Sequence, residues 1–247
     1  MTVPASSDFN ALTDLLETDR IRNLSLLGFI ESSTASEYHK VGGSVLLRGV
    51  SDRSWILISS DSPGELQQLV ESLTDEDQYF AAVEDWMMPY LTRDRDIVWD
   101  LEVFKYILPD DVSLPAFTNR VVSLAPDDAR TVYEQSVYRE HLSPDYVKDR
   151  IISGPSVGIR EDNQLVGWAL THDDGAMGFL HVLEPYRKRG YGYRIVVALC
   201  EKLRKKGRMP FAYIVSDNSP AIRLVEKIGL TRTSLAHWCE LDENSQA

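Results

Sequence analysis

A short basic segment with two glycines, Arg187–Gly192, follows the apolar stretch 178–183. Glycines one residue apart let the backbone bend tightly and approach a ligand closely. A helical pattern begins at this bend, so the N–H groups of its first turn would face the segment and attract an anion. Three basic side chains strengthen that attraction. Strand, basic glycine loop and helix together predict a phosphate-binding site.

Other phosphate loops fit this segment less well. A Walker loop needs Lys and then Ser or Thr after its second glycine, whereas Tyr193 follows Gly192. A dinucleotide-binding fingerprint needs a third glycine, and Ile195 stands at that position. A basic turn that holds no ligand is the remaining alternative.

The loop most resembles the pyrophosphate loop of the GNAT superfamily of acyl-CoA N-acyltransferases, whose signature is Q/R-x-x-G-x-G/A. A second segment, 218–230, resembles the family's Asn-to-Gly helix. The resemblance implies that the backbone of Val182 holds the acyl carbonyl and that Asn218 reaches the cofactor, although Asn218 could equally be a helix N-cap. The remaining implied cofactor-binding residues are Arg187, Lys188, Arg189, Gly190, Tyr191, Gly192 and Tyr193.

The resemblance implies an enzyme that moves an acyl group, with acetyl favoured, from acyl-CoA to a primary amine of a small molecule or amino acid. Acetyl-CoA, or another acyl-CoA, is the implied co-substrate, and no metal is expected. The alternative is a module that binds or senses acyl-CoA without catalysis. The residues do not identify the acceptor or the length of the acyl chain.

Both proton-transfer positions of the family are altered. Ala176 stands where glycine N-acyltransferases have a carboxylate base, and Val225 stands where many GNAT enzymes have a tyrosine acid. His181, beside Val182, is the best substitute because imidazole exchanges protons near neutral pH. Strand alternation leaves open whether its side chain lines the cleft or the opposite face. The other candidates for proton transfer are His172, Asp173, Glu184 and the more distant His237.

The pattern of elements predicts an α/β GNAT fold, with a mixed sheet flanked by helices, in a catalytic domain at 118–247. The order is two helices, three strands, helix, strand, helix and one or two final strands. Within the superfamily, Trp168 and the Trp238–Cys239 pair resemble features of the glycine N-acyltransferase-like branch. That branch has an N-terminal domain that is a degenerate half of the same fold, which implies such a domain at 1–117.

The first half reads as a helix over 8–30, strands over 42–50 and 54–59, and a helix over 61–73. A stretch without a clear pattern follows, up to the proline-rich segment near 109–115.

Composition limits the class of protein. The 247-residue chain has a net charge of −12, and residues 187–208 carry nine Lys or Arg and one acid, so this island has a net charge of +8 and the remainder −20. That distribution suits a small polyanion such as coenzyme A better than a nucleic acid. Neither an apolar run of about 20 residues nor a secretory leader is evident, so we expect no membrane partner and a cytoplasmic location. Two cysteines without metal spacing suit a reducing compartment. Whether the protein forms a homodimer is open.

Overall fold

The structure is a computed structural model that describes residues 8–32, 34–116, 121–136, 139 and 142–242. The chain folds as two compact units. Unit 1 contains the residues up to Phe104 and the segment from Ser234 onward, and unit 2 contains Lys105–Thr233. The predicted boundary between domains, at residues 117 and 118, lies outside the described residues, and the domain assignment stays a prediction.

Eight α-helices and ten strands occur in the described ranges. The helices are α1 (Phe9–Glu17), α2 (Arg20–Glu31), α3 (Pro63–Val70), α4 (Met88–Leu91), α5 (Ala129–Glu134), α6 (Pro144–Ser153), α7 (Tyr191–Lys205) and α8 (Ser219–Ile228). The strands are β1 (Ala35–Val41), β2 (Ser44–Val50), β3 (Ser54–Ser59), β4 (Tyr79–Glu84), β5 (Ile97–Ile107), β6 (Ser156–Glu161), β7 (Gln164–Thr171), β8 (Met177–Val182), β9 (Phe211–Val215) and β10 (Thr231–Leu241). None of the helices in these ranges is both long and apolar enough to cross a bilayer.

Unit 1 is built on a sheet with the strand order β1-β2-β3-β4-β10-β5. The last strand in the described ranges, β10, pairs antiparallel with β4, so residues from both halves of the sequence form this sheet. Apolar clusters cover both faces. One includes Leu46, Phe80 and Met87, and the other includes Leu12 and Leu47.

Unit 2 has an antiparallel sheet with the order β6-β7-β8. Strand β9 lies outside this sheet and neighbours β5, whose last three residues belong to unit 2. The core between the sheet and α5 and α6 contains Trp168, which is 1 % exposed, together with Leu124, Val147 and Leu170. Helix α7 packs against the sheet through another apolar face that includes Ile195 and Leu199.

Three helices begin with a polar N-cap residue and have a proline in the first turn, as the sequence indicates. The Ser62, Ser143 and Asn218 side chains each accept a hydrogen bond from a first-turn N–H of α3, α6 and α8 respectively. Such caps satisfy donors that have no partner within the helix, and proline fits the first turn because it lacks an N–H there.

The first half departs from the predicted pattern in several places. The single helix predicted over 8–30 is two helices, because Asp19 accepts a hydrogen bond from Arg22 N–H and starts α2 there. Strands β1, β4 and β5 were not predicted. In the second half, the apolar run at 121–124 indicates a short strand, whereas the structure has one bridge there, between Val122 and Gly158.

Both halves of the chain run through the same order of elements. Two helices precede three strands, and then come helix, strand, helix and strand, in α1 to β5 and again in α5 to β10. This order agrees with the α/β architecture predicted from the sequence, in which sheets are flanked by helices.

Candidate functional site

Strand β8 lies at one end of its sheet, and its open side carries the first feature of the site. Val182 is paired with Gly167 of β7, and the Leu183 N–H donates to the Val166 carbonyl at 2.9 Å. Because antiparallel pairing alternates, the N–H and C=O of Val182 point away from β7. The carbonyl accepts a hydrogen bond from Arg187 Nε at 3.0 Å. The Val182 N–H is therefore directed to the side of β8 on which this sheet has no further strand.

The segment between β8 and α7 is a compact turn with two residues in the left-handed region. A 3₁₀ turn at Glu184–Tyr186 is followed by Lys188 at φ 61° and Gly190 at φ 77°. A lysine in this region is strained, and such strain concentrates at functional sites. Left-handed residues next to right-handed ones turn successive N–H groups toward one point and form an anion-binding concavity.

Helix α7 begins at this turn without a side-chain cap. Gly190 is its N-cap residue and has no side chain with which to cap the helix. A Cβ added at Gly190 would meet none of the described atoms within 4 Å, and one at Gly192 would meet only Leu224 Cδ2, at 3.6 Å. A 15-residue helix that starts at a glycine with open space beside it is an arrangement that can bind phosphate.

The basic side chains of the loop are exposed, and two of them brace it. Arg189 donates from Nη2 to the Pro185 carbonyl at 3.0 Å and lies 5.1 Å from the centre of the Tyr186 ring. Arg187 holds the Val182 carbonyl, as described above. Each guanidinium has further donors, so both can fix the loop and still face an anion.

The side chains of the two tyrosines at the start of α7 contact other elements of unit 2. The Tyr191 hydroxyl donates to Glu161 Oε1 at 2.5 Å, and its ring is buried. Tyr193 lies under Lys227, whose Nζ is 5.5 Å from the ring centre. Only the backbone N–H groups of these tyrosines fit the predicted cofactor contact, which stays a prediction.

Asn218 acts as a helix cap. Its Oδ1 accepts a hydrogen bond from Ala221 N–H at 3.2 Å, and its amide NH₂ group can still donate to a ligand. Its contact with a cofactor also stays a prediction.

The basic side chains near the C-terminal end of α7 are either exposed or bonded to other segments. Lys205 and Lys206 are exposed, as expected of a solvated helix end. Lys202 instead donates from Nζ to a serine hydroxyl at 2.8 Å and a backbone carbonyl at 3.0 Å, and burial lowers its pKa, with Lys206 lowering it further. Arg204 donates to the carbonyls of Val112 and Pro109 at 2.7 and 2.5 Å. Lys202 and Arg204 therefore connect α7 to other segments of unit 2.

His181 lies on the face of β8 opposite to Val182. Its ring stacks on Trp168 with a centroid distance of 4.9 Å, and a Cβ at Gly167 would approach Val182 and Ile195 on the other face. Burial lowers the pKa of His181, and the charge of Arg187 lowers it further. The imidazole is therefore neutral at pH 7 and able to accept a proton.

A second histidine lies on the same face, with a residue that the sequence did not single out. The His172 ring stacks on Phe179 at a centroid distance of 4.5 Å, and the Tyr146 hydroxyl lies 3.5 Å from His172 Nδ1 and 3.1 Å from Asp173 Oδ1. Phe179 has a φ of 54° at an irregularity in the β7–β8 pairing. Tyr146 lies 26 residues before His172, and no spacing motif reveals that pair.

The remaining candidates for proton transfer are distributed as follows. Ala176 and Val225 are 3 % and 4 % exposed and have no titratable group. Glu184 is exposed in the 3₁₀ turn. His237 belongs to unit 1, where its ring nitrogens lie 2.9 and 3.2 Å from the carboxylates of two aspartates.

Neither cysteine is a nucleophile. Cys200 and Cys239 are free thiols that are fully buried, and burial raises the pKa of each to about 12. The described residues also contain no group of three His, Cys, Asp or Glu side chains that could hold a metal ion.

Comparison with known proteins connects this geometry to one fold. The model of the FR47-like protein family matches residues 156–239, which include β6–β8, the phosphate loop and α8. No protein of curated function has a significantly similar sequence.

Several solved structures are similar over nearly the whole chain. A Drosophila protein is 18 % identical with a TM-score of 0.82, over 98 % of this chain and 99 % of that one. A putative GNAT acetyltransferase from Novosphingobium aromaticivorans is 17 % identical with a TM-score of 0.60, over 92 % and 99 %. A tandem GNAT protein of clavulanic acid biosynthesis is 12 % identical with a TM-score of 0.60, over 100 % and 98 %. The fold of this chain is that of the GNAT acetyltransferases.

Proposed function

We propose that this protein is an acyl-CoA-dependent N-acyltransferase that transfers an acyl group, most favourably acetyl, to a primary amine of a small molecule or amino acid. The observation that carries the proposal is the uncapped start of α7, where Lys188 and Gly190 turn the backbone and the space outside Gly190 and Gly192 is open. Acetyl is favoured because similar structures are named acetyltransferases.

The geometry is consistent with one placement of the donor. A pyrophosphate held by the N–H groups of the α7 start would leave the pantetheine arm to run along the open side of β8. The Val182 N–H could then donate to the acyl oxygen, where charge develops during attack. A single such donor typically contributes about 3 to 4 kcal/mol to transition-state stabilisation. Holding the donor and the amine together supplies a further part of the acceleration.

His181 is the proposed proton acceptor at the reacting centre. It is the titratable side chain next to Val182 in the sequence, and its lowered pKa keeps it neutral at pH 7. Its stacking on Trp168 fixes the ring. The amine can transfer a proton to it as the C–N bond forms.

A second candidate function is binding of acyl-CoA without turnover. Ala176 and Val225 support it, because they occupy the two proton-transfer positions of the resembled enzymes and neither has a titratable side chain. Release of the CoA thiol distinguishes the two functions: an enzyme releases it when a suitable amine is present, and a binding module does not.

Titration calorimetry with acetyl-CoA tests the phosphate loop. Gly190→Asp should abolish measurable binding, because its carboxylate would enter the space left for the diphosphate. Gly207→Asp is the matched control, since Gly207 at the other end of α7 has a similar φ of 72° and equally open surroundings among the described residues. Both variants should lose similar stability, but only the first should lose affinity. Equal acetyl-CoA affinities for the two would reject the loop assignment.

Thiol release from acetyl-CoA across a panel of primary amines tests catalysis. Wild-type turnover that disappears in Gly190→Asp and persists in Gly207→Asp would support the enzyme. Tight acetyl-CoA binding with no thiol release across the panel would favour the binding module instead.

The N-terminal half is proposed to be a degenerate copy of the same fold, as in the glycine N-acyltransferase-like branch. The repeated order of elements supports this proposal, and α3 occupies the position in the first half that α7 occupies in the second. Helix α3 is capped by Ser62, follows Asp61 and lacks the glycine pair. Its start is therefore unsuited to an anion. The proposal predicts one acetyl-CoA bound per chain in calorimetry, and two would contradict it.

A further inference from the structure

The turn that follows β7 places a histidine, a tyrosine and a carboxylate in one chain of contacts. The Tyr146 hydroxyl on α6 lies 3.1 Å from Asp173 Oδ1, and His172 Nδ1 lies 3.5 Å from the same hydroxyl oxygen. Asp173 is 7 % exposed, and its Oδ1 also accepts from the Asp174 N–H at 3.2 Å. Asp174 in turn accepts from the Ala176 N–H at 2.9 Å, so the turn is held from both sides.

These contacts indicate which atoms of Tyr146 and His172 carry hydrogen. A tyrosine has one hydroxyl proton, and Tyr146 donates it to the Asp173 carboxylate in the shorter contact. The lone pairs of the hydroxyl oxygen can then accept from His172, and this contact favours the tautomer with hydrogen on Nδ1. In a neutral imidazole the other nitrogen, Nε2, is then left as a bare acceptor. This tautomer follows from the hydrogen-bond pattern.

The Nε2 atom is held over the backbone of β8. The ring is stacked on Phe179 with an interplanar angle of 28°, and a Cβ at Gly178 would overlap Nε2. Glycine at this position is what allows the ring to lie there. His172 is half-buried, and its ring is on the same face of β8 as His181, three residues along from Gly178.

The charged groups around the ring that the described residues supply come from the turn and from α6. On the turn they are Asp173 and Asp174. On α6, Arg150 lies behind Tyr146, with its guanidinium carbon 5.8 Å from the ring centre, and it is ion-paired with Asp149. The cation is therefore neutralised locally, and the side chain nearest to Nδ1 is the tyrosine that the carboxylate orients.

An amine acceptor has two protons to lose. A primary amine on an aliphatic carbon has a pKa of about 10 and arrives as an ammonium ion at pH 7, whereas only the free amine attacks a thioester. One proton must leave before attack, and a second leaves as the C–N bond forms. At the reacting centre beside Val182, His181 is the proposed acceptor of the second proton. The first proton needs another acceptor.

We propose that His172 Nε2 removes the first proton from the incoming ammonium group, and that Tyr146 and Asp173 are positioning residues that hold the imidazole in the tautomer with Nε2 bare. The inference rests on the proposed N-acyltransferase function. The ammonium nitrogen gives one proton to Nε2, the free amine then forms the C–N bond, and its second proton passes to His181. The C–S bond breaks, His181 passes the second proton to the leaving CoA thiolate, and His172 returns the first proton to solvent.

The tautomer can be measured without any acceptor. Two-bond ¹H–¹⁵N NMR spectra distinguish a ring nitrogen that carries hydrogen from one that does not, and His172→Asn identifies the signal. We expect His172 to have hydrogen on Nδ1 and a bare Nε2 above neutral pH. Tyr146→Phe, which keeps the ring and removes the hydroxyl, should release this preference. A wild-type ring with hydrogen on Nε2 would overturn the proposal, as would an unchanged tautomer in Tyr146→Phe.

Kinetics with two matched acceptors test the role of the tautomer. The first acceptor is the best aliphatic amine of the panel, and the second is its aminooxy analogue, in which oxygen replaces the carbon next to nitrogen and the nitrogen is neutral at pH 7. His172→Asn should lower kcat/KM for the aliphatic amine about 10²-fold at pH 7, with recovery as the pH rises. The aminooxy acceptor should be nearly unaffected, whereas His181→Asn should slow both.

Acetyl-CoA calorimetry distinguishes failure of the His172 proposal from failure of the proposed N-acyltransferase function. Equal loss with both acceptors in His172→Asn, with acetyl-CoA affinity intact, would overturn the role of His172 and leave the N-acyltransferase in place. Absence of acetyl-CoA binding in the wild type would instead remove the proposed function itself, and the proposal about His172 would fail with it.

Discussion

Replacement of Gly192 by aspartate separates the stability of α7 from its proposed ligand. Gly192 is the second residue of the helix, and a Cβ there would make one ordinary contact, at 3.6 Å from Leu224 Cδ2. Glycine is a poor helix former, and an acidic side chain in the first turn complements the helix dipole by about 0.3 to 1 kcal/mol. We therefore expect Gly192→Asp to melt at or slightly above the wild-type temperature.

The same carboxylate should weaken acetyl-CoA binding. With two negative charges of a diphosphate about 6 Å away, the repulsion is about 1.4 kcal/mol at the dielectric constant of water and about 5.5 kcal/mol at an effective value of 20. The lower figure corresponds to a tenfold increase in Kd. Steric exclusion of the phosphate adds to it.

Calorimetry with acetyl-CoA should compare the wild type, Gly192→Asp and Gly192→Asn. Asparagine has the size of aspartate without its charge, so the difference between the two variants isolates the electrostatic part. That difference should shrink between about 0.1 and 1 M salt, because the screening length falls from about 10 to 3 Å. A Gly192→Asp protein that melts normally and binds acetyl-CoA like the wild type would refute the location of the diphosphate.

Three further predictions concern the scaffold. Arg204→Ala should lower the free energy of unfolding by about 2 to 4 kcal/mol, because it removes two charge-assisted hydrogen bonds to backbone carbonyls, whereas Lys205→Ala should change it by less than about 0.5 kcal/mol in the same denaturant titration. The two buried cysteine thiols should resist alkylation at pH 8 in the native protein and react in denaturant, because burial raises the pKa of each to about 12; rapid native labelling would contradict their burial. Burial alone would raise the pKa of Asp77, but hydrogen bonds from Arg48 and Thr74 bring it below its usual 3.8. The Asp77 carboxylate therefore stabilises the fold above pH 3.8, and this contribution is lost as the pH falls further. Asp77→Asn should make the free energy of unfolding less dependent on pH in that range, and an unchanged dependence would show that the Asp77–Arg48 pair contributes nothing.

The elements that flank the glycine loop could be predicted from the sequence because their signals are local. Strand β9 lies between α7 and α8, in the predicted order of elements, and α8 begins after Asn218 and ends before Gly229, which has a φ of 106°. Caps, prolines and glycines act through neighbouring backbone atoms. Each of these signals is therefore visible in a few consecutive residues.

The missed strands depend on contacts between distant residues. Strand β1 carries Glu37, His39 and Lys40, and its pairing with β2 overrides that polar composition. Strand β5 contains Lys105, which is 3 % exposed and whose Nζ lies 5.8 Å from the centre of the Phe211 ring. A buried lysine held by an aromatic ring more than 100 residues away leaves no periodic signal.

The candidate site shows the same division. His181, Val182 and the loop were predicted from spacing and resemblance, and their use in catalysis stays a prediction. Tyr146 was not predicted, because its relation to His172 arises only when α6 packs beside the turn after β7. The separation of Lys202 and Arg204 from the solvated lysines likewise depends on segments far from α7 in the sequence.

The two equivalent helix starts, one capped and one bare, imply different responses to ligand. Ser62 accepts a hydrogen bond from a first-turn donor of α3, and Pro63 has no N–H to satisfy. Gly190 gives α7 no side-chain cap, and a diphosphate bound at its start would stabilise the native state by mass action, by about 2.7 kcal/mol at a hundred times its Kd. Heat resistance would then track the cellular supply of the thioester, and the chain would persist longest where its donor is plentiful.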